Sequence, residues 1–155
     1  MCVFQPTLKD LIDIYQCRQS LESLASKLAA KNINDIQIGE LYNIINQTNK
    51  ALDKGDMTQV VQLNVCFHEQ VLEISGNHQL ITLTSTIRDK VTYLRNCSFK
   101  GNVREVSFLR EHERIVDALR SHDGDQAEIE MHNHIEHDLQ ALISLYTGGN
   151  IWQYL

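Results

Sequence analysis

Apolar residues recur along most of this chain at the three- and four-residue spacing of helices buried on one side, and stop signals divide the pattern into six segments. Thr7, following Pro6, is placed to cap the first segment, with Asp10 where an acid favours a helix start. Leu11, Ile14, Leu21, Ala25 and Leu28 mark its inward stripe to about Ala30. Asn34 or Asp35 opens a second segment carrying Ile36, Leu41, Ile44, Ile45 and Leu52, stopped at Gly55. Asp56 begins a third, with Val60, Val61, Phe67, Val71 and Leu72 facing inward and the Gly76-Asn77 pair ending it. The spacing of Leu80, Leu83, Ile87, Val91 and Leu94 predicts a fourth helix from about His78 to Ser98. A loop around Gly101 leads to a fifth over about Arg104 to Ser121, and Gly124 separates it from a sixth over about Asp125 to Tyr146. The closing TGGNIWQYL reads as a short tail. No fixed-period repeat or linker divides the chain, so residues 1–155 are expected to form one all-α domain.

Composition narrows the function. One Pro and seven Gly leave little material for the frequent turns of a β-sandwich. With 14 basic against 20 acidic side chains the formal net charge is −6, and no Lys/Arg cluster offers a face to phosphates, so these residues alone are a poor DNA binder. Cys2, Cys17, Cys66 and Cys97 lie too far apart for a zinc knuckle or a disulfide framework. Cys17, Cys66 and Cys97 fall in apolar helical stretches and are expected to be buried free thiols in a reducing cytosol. No signal peptide and no apolar run of about 18 residues is present, so the expected location is cytoplasmic, away from membranes.

Several polar residues occupy positions that the periodicity reserves for the core. Arg18 lies between Ile14 and Leu21, and Asn64 and His68 are four apart on the stripe of Val60, Phe67 and Val71. His112 is in line with Phe108, Leu109, Ile115 and Leu119, while His134 follows Ala127 and Met131. Buried polar groups need partners, and four helices that each point one inward can satisfy each other around a ligand or a metal. Taken singly, an inward histidine is more often a hydrogen-bonded core residue than a ligand, and Arg18 has Glu22 one turn away as a local partner. The i, i+4 spacing of Asn64 and His68 suits a metal but also arises by chance. His78, His122, His132 and His137 read as solvated, and the His137-Asp138 dipeptide lacks the companion residues of an HD-type phosphohydrolase. A GxGxxG, a P-loop and a nucleophile elbow are absent.

The run DLIDIYQCRQSLESLASKLAA resembles the first helix of the effector-binding FCD domain found in the FadR subfamily of GntR-type transcriptional regulators. The likeness continues through LNVCFHEQVLEISGNHQL, with its Phe-His pair and Ser-Gly-Asn turn, and through REHERIVDALRSHDGDQAEIEMHNHI, with Glu-His, Asp-Ala-Leu, Gly-Asp and Met-x-x-His in order. The resemblance spans about Leu8 to Leu145. It implies an antiparallel bundle of six or seven helices around a central pocket, in which metal-binding members hold a divalent ion on an Asp or Asn and three His. Those positions correspond here to Asn64, His68, His112 and His134. The resemblance further implies a small carboxylate effector beside the metal, held by inward arginines: Arg18 matches, and Arg88 and Arg95, seven apart on one face, are weaker candidates. Zn2+ suits three nitrogens and an oxygen, with Ni2+, Mn2+ or Fe2+ also able to fit.

Two departures bear on this expectation. Asn64 stands where many members carry Asp, so the four ligands bring no negative charge and metal binding is expected to be exchangeable unless an anionic effector completes the site. Regulators of this kind place a winged helix-turn-helix ahead of the FCD domain and act as homodimers. No such segment lies in these residues, which are therefore either a piece of a longer regulator or a stand-alone sensor. The expected mechanism is a population shift, in which effector binding repacks the helices and alters the spacing of two DNA-reading heads. Its rivals are a metal-dependent hydrolase, for which Glu69 and Glu73 are poorly placed bases, and a purely structural dimerisation bundle.

Overall fold

The computed structural model describes residues 6–100 and 107–148, and among them every regular element is a helix. In chain order these are α1 (Leu8–Asn32), α2 (Asp35–Asp53), α3 (Met57–Ile74), α4 (His78–Ser85), α5 (Arg88–Lys100), α6 (Ser107–Arg120) and α7 (Gly124–Thr147). The capping signals act where the sequence placed them. Thr7 and Asp10 form a reciprocal capping box at α1, Asn34 and Gln37 do so at α2, and the Asp56 side chain accepts from the Gln59 N–H at α3. Gly55 and Gly76 end α2 and α3 in the left-handed region, at φ 69° and 67°.

The turn after α6 is built differently from the sequence expectation. His122, not a glycine, takes the positive φ of 53°, and its Nδ1 lies 2.7 Å from the Ala30 carbonyl oxygen, tying the turn to the end of α1. Gly124 is the first residue of α7 and is needed for closeness: a Cβ there would sit 2.9 Å from the Lys27 carbonyl oxygen. This close approach lets α7 run antiparallel to α1, joined from the Lys27–Asp125 pair at one end to the Arg18–Asp138 pair near the other. Gln70 reaches Glu40 between antiparallel α3 and α2, and Arg114 reaches Glu130 between α6 and α7.

Most of the stripe residues meet in a main core that includes Leu11, Leu41, Phe67, Phe108, Ile115 and Met131, and Ala25, Leu72 and Leu80 form a smaller cluster. Three kinds of expectation require correction. The fourth helix is two, because Thr84, Ser85 and Thr86 turn their hydroxyls back onto carbonyls of the preceding turn and the backbone tightens there through Thr86 N–H to Leu83 and Ile87 N–H to Thr84. Ile36 and Leu83 are exposed, since Ile36 lies five residues from Leu41 and α4 is short and turns only Leu80 and Thr84 inward. Cys17 and Cys66 are also exposed, each one 100° step off the buried stripe beside Arg18 and Phe67; only Cys97 of the three is buried. Cys2, Arg104 and the C-terminal tail lie outside the described residues. No described helix is long and apolar enough to cross a membrane.

Candidate functional site

Three helices deliver the inward histidines to one point. His68 comes from the middle of α3, His112 from α6 and His134 from α7, and none of the three is more than 2% exposed. His134 Nε2 lies 3.2 Å from His68 Nε2 and 3.2 Å from His112 Nε2. Nitrogens bound to one ion at about 2.0–2.1 Å lie about 2.8–3.4 Å apart, from cis octahedral to tetrahedral arrangements, so these spacings suit a shared cation. Asn64, one turn before His68, is 2% exposed and its Oδ1 has no hydrogen-bond partner among the described residues. A buried acceptor without a protein partner on the same helix face is a donor atom that a cation can use. The four residues therefore fit a divalent ion.

Packing and hydrogen bonds fix the rings. His112 lies flat on Phe67, with centroids 3.9 Å apart and planes within 9°, and edge-on to Phe108. His134 Nδ1 is 2.8 Å from Glu111 Oε2. His68 Nδ1 lies 2.6 Å from Glu22 Oε2, yet that oxygen makes no formed hydrogen bond. Burial pushes the pKa of His68 well below the ordinary imidazole value, helped by the positive charges of Arg95 and Arg18; the nearby Asp138 opposes the shift. Burial likewise lowers His112, with His134 and His68 adding to it. Neutral rings are what metal ligation needs.

The arginines divide into three roles. Arg18 is fully buried, with Nε on Glu22 Oε1 at 2.7 Å, Nη1 on Asp138 Oδ2 at 3.0 Å and Nη2 3.2 Å from His68 Nε2. Burial alone would lower its pKa, but Glu22, Tyr15 and Asp138 outweigh it and hold the guanidinium above its usual value. Arg88 is half-exposed at the start of α5 and pairs with Glu69 at 2.9 Å. Arg95, further along α5, is 5% exposed, and its Nε and Nη2 have no hydrogen-bond partner among the described residues. Burial, with the Arg18 charge beside it, pulls Arg95 down to about 10. Both α5 arginines line a cavity of about 40 Å3 shared with Glu22, His68, Glu69 and Thr84.

Comparison with known proteins agrees with this architecture. The family model described as "FCD domain" matches residues 13–137. The chain belongs to the FCD domain family. This FCD domain is 30% identical over 144 residues to the HTH-type transcriptional regulator YdhC of Bacillus subtilis, covering 92% of the chain and 64% of that protein. It is 30% identical to the HTH-type transcriptional repressor NanR of Citrobacter rodentium, over 77% of the chain and 46% of that protein, and 23% identical to the repressor RspR of Escherichia coli, over 87% and 59%. The chain thus spans about half to two thirds of the length of these relatives. Among solved structures, Streptococcus agalactiae GntR matches at a TM-score of 0.73 and 25% identity, over 89% of this chain and 62% of that one. E. coli McbR/YncC matches at a TM-score of 0.84 and 19% identity, over 93% and 73%, a likeness of fold. The relatives named here are transcriptional regulators and repressors, not enzymes.

Sequence periodicity finds the three histidines, Asn64 and Arg18. It misses the carboxylates around them: Glu111 beside His112, and Asp138, which lies one turn after His134 at 3.7 Å from its Nε2. Glu22 is visible as the i+4 partner of Arg18 and is that partner. His137, expected to be solvated, is half-exposed and places Nδ1 2.8 Å from Glu111 Oε1. An i, i+4 carboxylate after an inward histidine is the signal that points to Asp138.

Proposed function

We propose that this FCD domain is the metal-dependent, organic-acid-sensing part of a GntR-family transcriptional regulator of the FadR subfamily, working as a homodimer whose DNA-reading domain lies outside these residues. The convergence of His68, His112 and His134 on one another carries the reading. Asn64 Oδ1 supplies a fourth ligand position, and a bound divalent ion, zinc being the best match to this donor set, supplies a Lewis-acid position for an anionic oxygen. Arg95 supports the acid half of the proposal: a buried guanidinium with unused donors is costly unless an anion meets it. Arg18 is committed to Glu22 and Asp138, so its role is to hold the frame, and Arg88 stands at the rim of the cavity with Glu69.

The cavity volume suggests how sensing is coupled to shape. At about 40 Å3 it holds about three waters. The cavity opens to solvent at the rim where Arg88 stands, and an acid that reaches Arg95 through that opening and exceeds this volume presses on α5, the wall that carries both arginines. Binding energy is thereby spent on displacing α5 against α3 and α7, which is the differential contact that a population shift requires. The hydrolase alternative is disfavoured because Glu22, Glu111 and Asp138, the carboxylates nearest the imidazoles, already face ring nitrogens or a guanidinium.

Metal analysis of protein purified without chelator or affinity histidines, followed by thermal melts with zinc, with chelator, and with zinc plus a panel of small monocarboxylates, tests the proposal. Zinc should raise Tm, chelator should reverse the rise, and an accepted carboxylate should slow zinc loss in wild type but not in Arg95→Met. No retained metal together with no response to zinc or chelator would overturn it.

A further inference from the structure

We propose that Glu111 is a positioning residue for the metal centre, selecting the ring tautomer of His134 through which that histidine binds the ion. The inference rests on the reading of His68, His112 and His134 as ligands. Glu111 is 5% exposed, and both of its oxygens are used: Oε2 lies 2.8 Å from His134 Nδ1 and Oε1 lies 2.8 Å from His137 Nδ1. A neutral imidazole carries one N–H, and the carboxylate can only accept. The proton of His134 is therefore held on Nδ1, and Nε2 turns its lone pair toward His68 Nε2 and His112 Nε2, each 3.2 Å away. Without Glu111 the ring is free to place the proton on Nε2, the form that cannot bind metal through Nε2.

Helix geometry explains how adjacent residues serve one centre from two directions. Glu111 and His112 are one 100° step apart on α6, so His112 faces the cluster while Glu111 faces along α7, where His134 and His137 stand three residues apart on one side. The other two carboxylates at the site do not do the same work: Glu22 Oε2 makes no hydrogen bond with His68 and its other oxygen accepts from Arg18, while Asp138 Oδ2 accepts from Arg18 at 3.0 Å and stands 3.7 Å from His134 Nε2, beyond hydrogen-bond distance. His137 has a different standing again: its side chain is 54% exposed, and water can replace it on Oε1.

The test measures zinc affinity of the whole chain by chelator competition and records the visible absorption of the cobalt(II)-loaded protein. Wild type is set beside Glu111→Gln, Glu111→Ala, His137→Ala and, as a packing control away from the imidazoles, Leu142→Ala. The Glu111 variants should bind zinc about 10–100-fold more weakly. The isosteric Gln variant should lose less than Ala because its amide oxygen can still accept from Nδ1, and the cobalt spectrum should change in both. His137→Ala and Leu142→Ala should fall short of the roughly 10-fold loss that marks removal of an outer partner. Glu111 variants that hold zinc like wild type, or a Leu142→Ala loss as large as theirs, would overturn the proposal while leaving the metal site standing. A wild-type chain that binds no zinc would remove the metal reading itself, and this inference with it.

Discussion

Replacing Arg18 with methionine keeps most of the side-chain volume and removes the charge, so it isolates what the guanidinium does in the core. In the folded protein Glu22 and Asp138 meet Arg18 at 2.7 and 3.0 Å, with side chains 8% and 11% exposed, and Arg18 itself is fully buried. Removing one member of such a network leaves charges buried without their counterion, which costs about 3–5 kcal/mol. For a chain of this length each kcal/mol lowers Tm by about 2–4 °C, so Arg18→Met should melt about 6–20 °C below wild type with chelator present. Chemical denaturation should give the same loss with an unchanged m-value. The triple variant Arg18→Met, Glu22→Gln, Asp138→Asn should recover most of it, because a neutral network has no stranded charge. A single-variant loss below about 1 kcal/mol would refute the reasoning, since that is the range of an exposed ion pair. A triple variant as unstable as the single would show that packing, not charge, sets the cost.

Two further perturbations have signs fixed by the structure. His68 and His112 resist protonation when folded, whereas the unfolded chain takes up protons near the ordinary value of about 6.5. Metal-free protein should therefore be most stable above about pH 7 and lose stability as pH falls below about 6.5, by up to about 1.4 kcal/mol per pH unit for each histidine. Urea denaturation in chelator from pH 7.5 to 5 measures this, and a flat profile would count against neutral buried rings. Gly124→Ala should destabilise by about 1–3 kcal/mol, because its Cβ would fall 2.9 Å from the Lys27 backbone oxygen and force α7 off α1; a melt equal to wild type would show that the contact yields freely.

What the sequence disclosed and what it withheld follow from range. Caps at Thr7, Asn34 and Asp56 and stops at Gly55 and Gly76 depend on neighbours within four residues, and all five act as the local pattern says. The inward stripes of α3, α6 and α7 depend only on helical period, so Asn64, His68, His112 and His134 are legible from spacing alone. The break between α4 and α5 is hidden because each hydroxyl in the run from Thr82 to Thr86 competes weakly for backbone carbonyls, and the apolar spacing continues across it. Glu111 and Arg95 are different cases. Which way a carboxylate beside a histidine turns, and whether a helical arginine finds a partner, is decided by the helices packed against it. Periodicity places Arg88 and Arg95 on one face and cannot say that Glu69 satisfies the first while the second is left with unused donors.

The same packing bears on the neutral ligand set that Asn64 creates. Among the described residues the buried charged side chains are Arg18, Arg95, Glu22, Glu111 and Asp138, three carboxylates against two guanidiniums. Negative charge that an aspartate at position 64 would place directly on the ion is held one contact further out, at 2.8 Å from His134 Nδ1 and 3.7 Å from His134 Nε2. The formal balance of this core is −1 with the imidazoles neutral; a divalent cation takes it to +1, and a singly charged carboxylate then brings it to zero. Each partner lowers the cost of burying the other, since an unpaired charge in the interior is the expensive state. By reciprocity, an acid that holds the metal in place is itself held by the metal, to the same degree. Under the proposed metal-and-acid reading, Asn64 would tune the site: with no fixed anion in the first coordination layer, tight occupancy would depend on the acid being present.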